Sequence, residues 1–170
     1  NSWFYSHGPR AAHPQGTVSY VPLQLHQFSK KRIGYRKPNV FLGAVSPMDK
    51  HGYFSLSLST VLEKDFVENA DIVIMEVNPN LPRTFGDTHV HISEIDYLVE
   101  VDAEVPTLEQ PVLSEKDLLI GNYAADLVED GSTIQIGFGS ITGAIAQCLG
   151  DKKDLGLHSE MFTDSVLSLY

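Results

Sequence analysis

Two short segments late in the 170-residue chain combine residue types that can do chemistry together. In Gln135-Ile136-Gly137-Phe138-Gly139-Ser140-Ile141, a glycine pair stands between a β-type run and the start of a helical stripe. Backbone N–H groups in such a turn face whatever lies above the strand, and they can hold a phosphate or a developing oxyanion. The dinucleotide fingerprint would place its third glycine at Thr142, whereas the glycine comes one position late, at Gly143, which argues against a nicotinamide or flavin site. A plain strand-to-helix turn is the simpler alternative. Further on, His158-Ser159-Glu160-Met161 follows a short apolar run. Parallel neighbouring strands end at the same sheet edge, so Glu160 would stand near the glycine turn as a candidate covalent nucleophile. A solvated surface glutamate is the plainer reading of the same residue.

Other chemistry-bearing residues are less well placed. Asp87-Thr88-His89-Val90-His91 sets two imidazoles on one strand face, and a divalent metal there would have to recruit Glu94, Asp96, His158 or Glu160. No other segment has metal-ligand spacing, so a polar strand edge without metal is expected. The lone Cys148 sits in an apolar helical stripe with no cationic neighbour on the preceding turn to activate it, and reads as a packed thiol.

A regular framework must position these groups. Asn39 to Val45 is an apolar run stopped by Ser46-Pro47, Asp49 to Gly52 is a turn, and Tyr53 to Leu58 alternates with period two. Thr60 to Ala70 sets Leu62 and Phe66 one helical turn apart, and Asp71 to Val77 is a second buried strand. After an acidic, proline-punctuated stretch the rhythm becomes regular. Ser114 with Asp117 resembles a helix cap, and Ile120, Ala124, Leu127 and Val128 lie on one helical face. Ser132 to Ile136 is a strand, Ile141, Ala144, Ile145 and Leu149 mark a helix, and Leu155 to His158 is the next strand. The spacing predicts a parallel α/β unit over 114–158, with the helix at 141–149 as its crossover. The first 38 residues, rich in Gly and Pro, read as irregular chain with short strands.

Composition bounds the functions open to this framework. The chain is 42% hydrophobic and 20% charged, with no apolar run long enough to span a bilayer. Residues 1–48 contain six of the 12 Lys/Arg and no acid, while the remainder sets the other six against all 22 Asp and Glu. So acidic a second part does not suit nucleic acid. The basic run of Lys30, Lys31, Arg32, Arg36 and Lys37 reads as a solvated loop, with polyanion binding as the sharper alternative. One cysteine precludes an intrachain disulfide and fits a reducing cytoplasm. The opening residues carry neither Met nor a signal peptide, which suggests a fragment.

Gly131 to Ile141 followed by Asp154 to Asp164 resembles the acetyl-CoA hydrolase/transferase family, in particular its 4-hydroxybutyrate and butyrate:acetate CoA-transferases. The resemblance continues upstream through Val45 to Tyr53, Ala70 to Asn78 and Gly86 to Asp96. It implies a CoA-transferase-like α/β fold, with parallel or mixed sheets, flanking helices and parts of two domains. Residues 1–105 would be the later part of the N-terminal domain, 106–113 a linker, and 114–170 the opening of the C-terminal domain. Glu160 would match the catalytic glutamate that becomes a glutamyl-CoA thioester. Gly137, Phe138, Gly139, Ser140 and Ile141 would match the loop that binds coenzyme A. Thr142 stands where the family commonly has proline. The implied partners are an acyl-CoA and a small carboxylate, with no metal, nucleic acid or membrane, and a homo-oligomer is compatible. An acyl-CoA hydrolase, a noncatalytic CoA-binding fragment and a metal hydrolase using His89 and His91 are the competing readings. Much of the family's pocket would lie beyond Tyr170, so this chain alone is expected to transfer CoA poorly.

Overall fold

The computed structural model describes residues 2–107, 109 and 111–169. The described chain divides into two compact units, Asn1–Pro106 and Thr107–Tyr170. The expected linker at 106–113 includes Leu108 and Gln110, which lie outside the described residues.

The first unit is built on a parallel three-stranded sheet. The apolar runs become β1 (Val40–Val45) and β3 (Ile72–Val77), and β5 (Tyr97–Glu100) completes the order β1-β3-β5. Val40 pairs with Ile72 and Ile74 with Tyr97, so β3 is the central strand. Helix α3 (Glu63–Asn69) connects the two sheet systems in sequence, inside the helix expected over 60–70. Beside the sheet, β2 (Tyr53–Ser55) pairs antiparallel with β4 (His89–His91). Val45, Phe54, Leu56, Val67, Val73, Met75 and Val90 form the buried core. Full burial of such side chains is worth roughly 1.5–3 kcal/mol each relative to exposure. The opposite face of the three-stranded sheet is open, with Leu42 72% and Tyr97 61% exposed.

The turn into β2 follows from its residues. Asp49 Oδ1 accepts from the backbone N–H groups of His51 and Tyr53, both at 2.9 Å, and Asp49 Oδ2 pairs with Arg83 at 2.7 Å. Gly52 closes the turn at φ +87°, where a Cβ would also stand 2.8 Å from His91 Nε2. Beyond β2 the alternation of serine with apolar residues does not make a half-buried strand. Ser55 and Ser57 are buried because the segment Pro82–Thr84 covers them: Ser57 Oγ donates to Pro82 O at 2.6 Å, and Ser55 Oγ bonds Thr84.

The N-terminal segment corrects the irregular reading. It contains helix α1 (His7–Ala12) and helix α2 (Phe28–Tyr35), and its one strand-type contact among the described residues is the bridge between Ser2 and Tyr20. Lys30, Lys31 and Arg32 therefore lie on a helix rather than in a loop. Only Phe28 of α2 is buried, against Trp3 and Phe66. One anchor leaves no apolar stripe to read.

In the second unit, α4 (Glu115–Asp126) leads to β6 (Thr133–Ile134), then α5 (Ser140–Cys148) and β7 (Gly156–Leu157), with α6 (Asp164–Leu167) beyond. Strands β6 and β7 are parallel, Thr133 opposite Gly156 and Ile134 opposite Leu157, with α5 as the crossover helix. Each strand is shorter than expected. Helix α4 is also rotated from its expected face: Ile120 and Leu127 are exposed, while Gly121 and Ala125 are buried. The cause is close approach to α5. A Cβ on Gly121 would lie 2.8 Å from the Ala144 carbonyl oxygen and 3.0 Å from Cys148 Sγ. Ala125, Ile136, Ala146 and Leu149 form the core beneath that contact. Cys148 is half-buried in the same seam, its thiol 3.9 Å from Leu118 O.

Gly121→Ala tests this seam. Alanine gains about 1 kcal/mol in helix propensity, but forcing backbone apart costs about 1–3 kcal/mol, so denaturant unfolding should show a net loss. Gly34→Ala in α2, where a Cβ meets nothing within 4 Å, should instead be neutral or stabilising. Stabilisation by both substitutions would contradict the α4–α5 contact.

Candidate functional site

The site grows from the parallel pair β6–β7. Gly156 sits opposite Thr133 because a Cβ there would meet Thr133 Oγ1 at 2.8 Å. The ladder runs from Gly156 N–H to Ser132 O at 2.9 Å and from His158 N–H to Ile134 O at 3.0 Å. At the next step, Ser159 Oγ donates to Ile136 O at 2.7 Å. Ile136 immediately precedes the glycine turn and Ser159 immediately precedes Glu160, so one hydrogen bond joins the two segments singled out in the sequence.

The turn itself needs its second glycine. Gly139 adopts φ 139° and ψ 175° as the N-cap of α5, a conformation essentially reserved for residues without a Cβ. Its carbonyl accepts from Gly143 N–H at 3.0 Å and from Thr142 Oγ1 at 3.0 Å. Thr142 thus ties the first helical turn with its hydroxyl. Gly137, Phe138 and Ile141 are exposed, while Gly139 and Ser140 are half-buried. Phe138, Ile141, Met161 and Phe162 leave apolar side chains exposed along the two segments. Glu160 is exposed in a bend, and its carboxylate makes no hydrogen bond or ion pair among the described residues.

A second tie holds the start of α5 to the start of α4. Ser114 Oγ and Ser114 N–H both donate to Asp117 Oδ2, at 2.7 and 2.9 Å, and Asp117 N–H donates back to Ser114 Oγ at 3.2 Å. This reciprocal cap satisfies helix-end donors. Ser140 Oγ reaches Asp117 Oδ1 at 3.4 Å. The Ser114 hydroxyl, then its N–H, hold the Asp117 carboxyl below its ordinary value of 3.8 against a smaller opposing effect of desolvation, and Ser140 adds to the lowering.

The other sequence candidates fall elsewhere. His89 and His91 share a face of β4 in the first unit, opposite Ser55 and Tyr53. His91 Nδ1 lies 2.8 Å from Ser93 Oγ and caps the short turn at Ile92–Glu94. Among the described residues no group of three or more His, Cys, Asp or Glu is placed to hold a metal, and no helix is long and apolar enough to cross a membrane. Sequence reasoning missed the role of Ser159 and the ties made by Thr142 and Ser140. Only their hydroxyls signal these ties, and hydroxyls are too common in loops to single out.

Comparison with known proteins gives the chain its relatives. A family model described as the acetyl-CoA hydrolase/transferase N-terminal domain matches residues 1–109. The succinyl-CoA:cyclohexane-1-carboxylate CoA transferase of Geobacter metallireducens is 40% identical over 99% of this chain and 39% of its own length. The 4-hydroxybutyrate coenzyme A transferase of Clostridium kluyveri is also 40% identical, over 99% of this chain and 40% of its own. The crystal structure of RipA from Yersinia pestis superposes with a TM-score of 0.92 at 32% identity, covering 98% of this chain and 40% of that one. The chain therefore spans about two fifths of the curated relatives it matches.

The cap at Asp117 has a pH signature. Because the folded state lowers this carboxyl, its contribution is fully present above 3.8 and is lost as pH falls through the folded value. Thermal unfolding of the parent and Asp117→Asn should differ by a constant amount well above 3.8, and the gap should close as pH falls from there through the lower folded value. A gap independent of pH down to strongly acid solution would remove the carboxylate from the cap.

Proposed function

Because the chain belongs to the acetyl-CoA hydrolase/transferase family, we propose that the protein moves coenzyme A between an acyl-CoA and a small carboxylate of the 4-hydroxybutyrate, butyrate or acetate type. Glu160 is the nucleophile and Gly137 to Ile141 form the loop that holds CoA and the oxyanions. Residues 114–170 open the second catalytic domain. The observation that carries this reading is the parallel β6–β7 pair, whose ends bring Ser159 against Ile136 and so put Glu160 beside the glycine turn. The names of the two CoA transferases given above support the reaction class.

The residue types suit a double displacement. A carboxylate is anionic at neutral pH and attacks without a general base. Its oxygen bonds to the acyl carbon of the thioester, the C–S bond breaks, and CoA leaves as thiolate, which generates a mixed acyl-glutamyl anhydride. The thiolate then attacks the glutamyl carbonyl and expels the donor carboxylate, leaving glutamyl-CoA. The acceptor carboxylate repeats both steps in reverse. Each tetrahedral intermediate carries an oxyanion, and one backbone donor aimed at it is typically worth about 3–4 kcal/mol. The start of α5 supplies N–H groups with no partner inside the helix. The apolar side chains of Phe138, Ile141, Met161 and Phe162 suit a site from which water must be kept, since water on the same intermediates would give hydrolysis.

The full-length protein exposed to acyl-CoA without acceptor should gain the mass of a glutamyl-CoA thioester, and borohydride should convert the Glu160 carboxyl to an alcohol. Glu160→Gln should lower transfer by roughly a thousandfold or more while CoA still binds. Glu160→Asp, which withdraws the carboxylate by one methylene, should cost about a hundredfold. An adduct mapped to Cys148, or normal transfer by Glu160→Gln, would overturn the assignment.

A further inference from the structure

The ladder between β6 and β7 breaks its own pattern at the site. Parallel pairing bonds alternate residues of β7 to alternate carbonyls of β6: Gly156 N–H to Ser132 O, then His158 N–H to Ile134 O. The next rung in that register would run from Glu160 N–H to Ile136 O. It is absent. The Ile136 carbonyl instead takes the Ser159 hydroxyl at 2.7 Å, and Glu160 turns away in a bend. The substitution matters because Ile136 is only 5% exposed. If β7 simply ended at His158, that carbonyl would be left short of a donor, at a cost of about 1–3 kcal/mol. If β7 continued, Glu160 would be held in the sheet with its backbone fixed along β6. The hydroxyl removes both problems one residue early.

We infer that Ser159 is the positioning residue of the site, its hydroxyl standing in for the missing rung so that Glu160 can leave the sheet over the glycine turn at a fixed distance. This inference rests on the reading of Glu160 as nucleophile. The bond acts on both sides of the reaction. On the β7 side it pins the atom chain that ends in the Glu160 Cα. On the β6 side it fixes the plane of the peptide between Ile136 and Gly137, because the amide is rigid and trans. Holding the Ile136 carbonyl toward Ser159 therefore turns the Gly137 N–H away from β7 and fixes the direction in which the chain enters the glycine turn. One side-chain hydroxyl thus sets the nucleophile and the turn relative to each other. The bond joins two groups of the protein itself, so its loss should disturb alignment and leave CoA affinity alone.

The test compares Ser159→Ala, Ser159→Thr and Glu160→Gln in the full-length protein. Ser159→Ala should lower kcat and the single-turnover rate of glutamyl-CoA formation by about 10- to 100-fold, with KM for acyl-CoA and CoA binding within twofold of the parent. Ser159→Thr keeps the hydroxyl and suits an extended segment, so it should restore kcat to within a few-fold. An alanine variant with unchanged kcat would overturn the inference. So would one that loses CoA binding along with activity, which would mark a purely structural role, and so would a threonine variant that folds, binds CoA and stays as slow as alanine. Glu160→Gln separates the two readings. If it abolishes the adduct while Ser159→Ala leaves the rate intact, only the positioning role falls. If Glu160→Gln still forms the adduct, the nucleophile itself was misassigned.

Discussion

The 2.7 Å hydrogen bond from Ser159 Oγ to the Ile136 carbonyl joins the two segments of the candidate site. Everything around it is arranged to make that contact at the tips of two very short strands. Parallel topology brings both C-terminal ends to one edge, which antiparallel pairing of neighbours would not do. The crossover helix α5 must therefore begin close above β6, and Gly139 makes the sharp entry with a backbone conformation that a side chain would strain. Small residues at Gly121, Ala125, Ala144 and Ala146 let α4 come close enough to α5 to brace it from behind.

The hydroxyl ties share a common logic. Ser114 with Asp117, Ser140 with Asp117, Thr142 with Gly139 and Ser159 with Ile136 all satisfy groups at element ends, where regular structure runs out of partners. Asp117 is the junction of two of them, capping α4 while reaching the first residue of α5. Thr142 stands where the family resemblance leads one to expect proline. A proline would stiffen the turn through its ring, whereas threonine ties the Gly139 carbonyl with a side-chain bond.

Much of this arrangement was legible in the residues. The apolar runs at 40–45 and 72–77, the glycine turn and the crossover helix announce an α/β chain through periods that depend only on which face is buried. The helical stripe at Ile120, Ala124 and Leu127 misled because hydrophobicity normally marks the packed face, while here close helix approach selected Gly121 and Ala125 instead. The basic helix at 28–35 was illegible for the opposite reason, since one buried phenylalanine sets no period. The serines at 55 and 57 read as solvent-facing until a distant segment, Pro82–Thr84, covered them. Such tertiary partners leave no trace in local pattern. For the candidate site, residue types singled out the two segments, but the hydroxyl that joins them is a matter of register.

The shortness of β6 and β7 has a consequence for how such a site changes over evolutionary time. Two paired residues on each strand contribute little to cohesion compared with the seam between α4 and α5. Selection for a folded unit therefore acts mainly on the helices and their small-residue contact. On the proposed function, selection for chemistry acts instead on the strand tips and the turn. Because the two sets of positions scarcely overlap, substitutions at the tips leave the helical contact in place, and the helices can be reinforced without disturbing the tips.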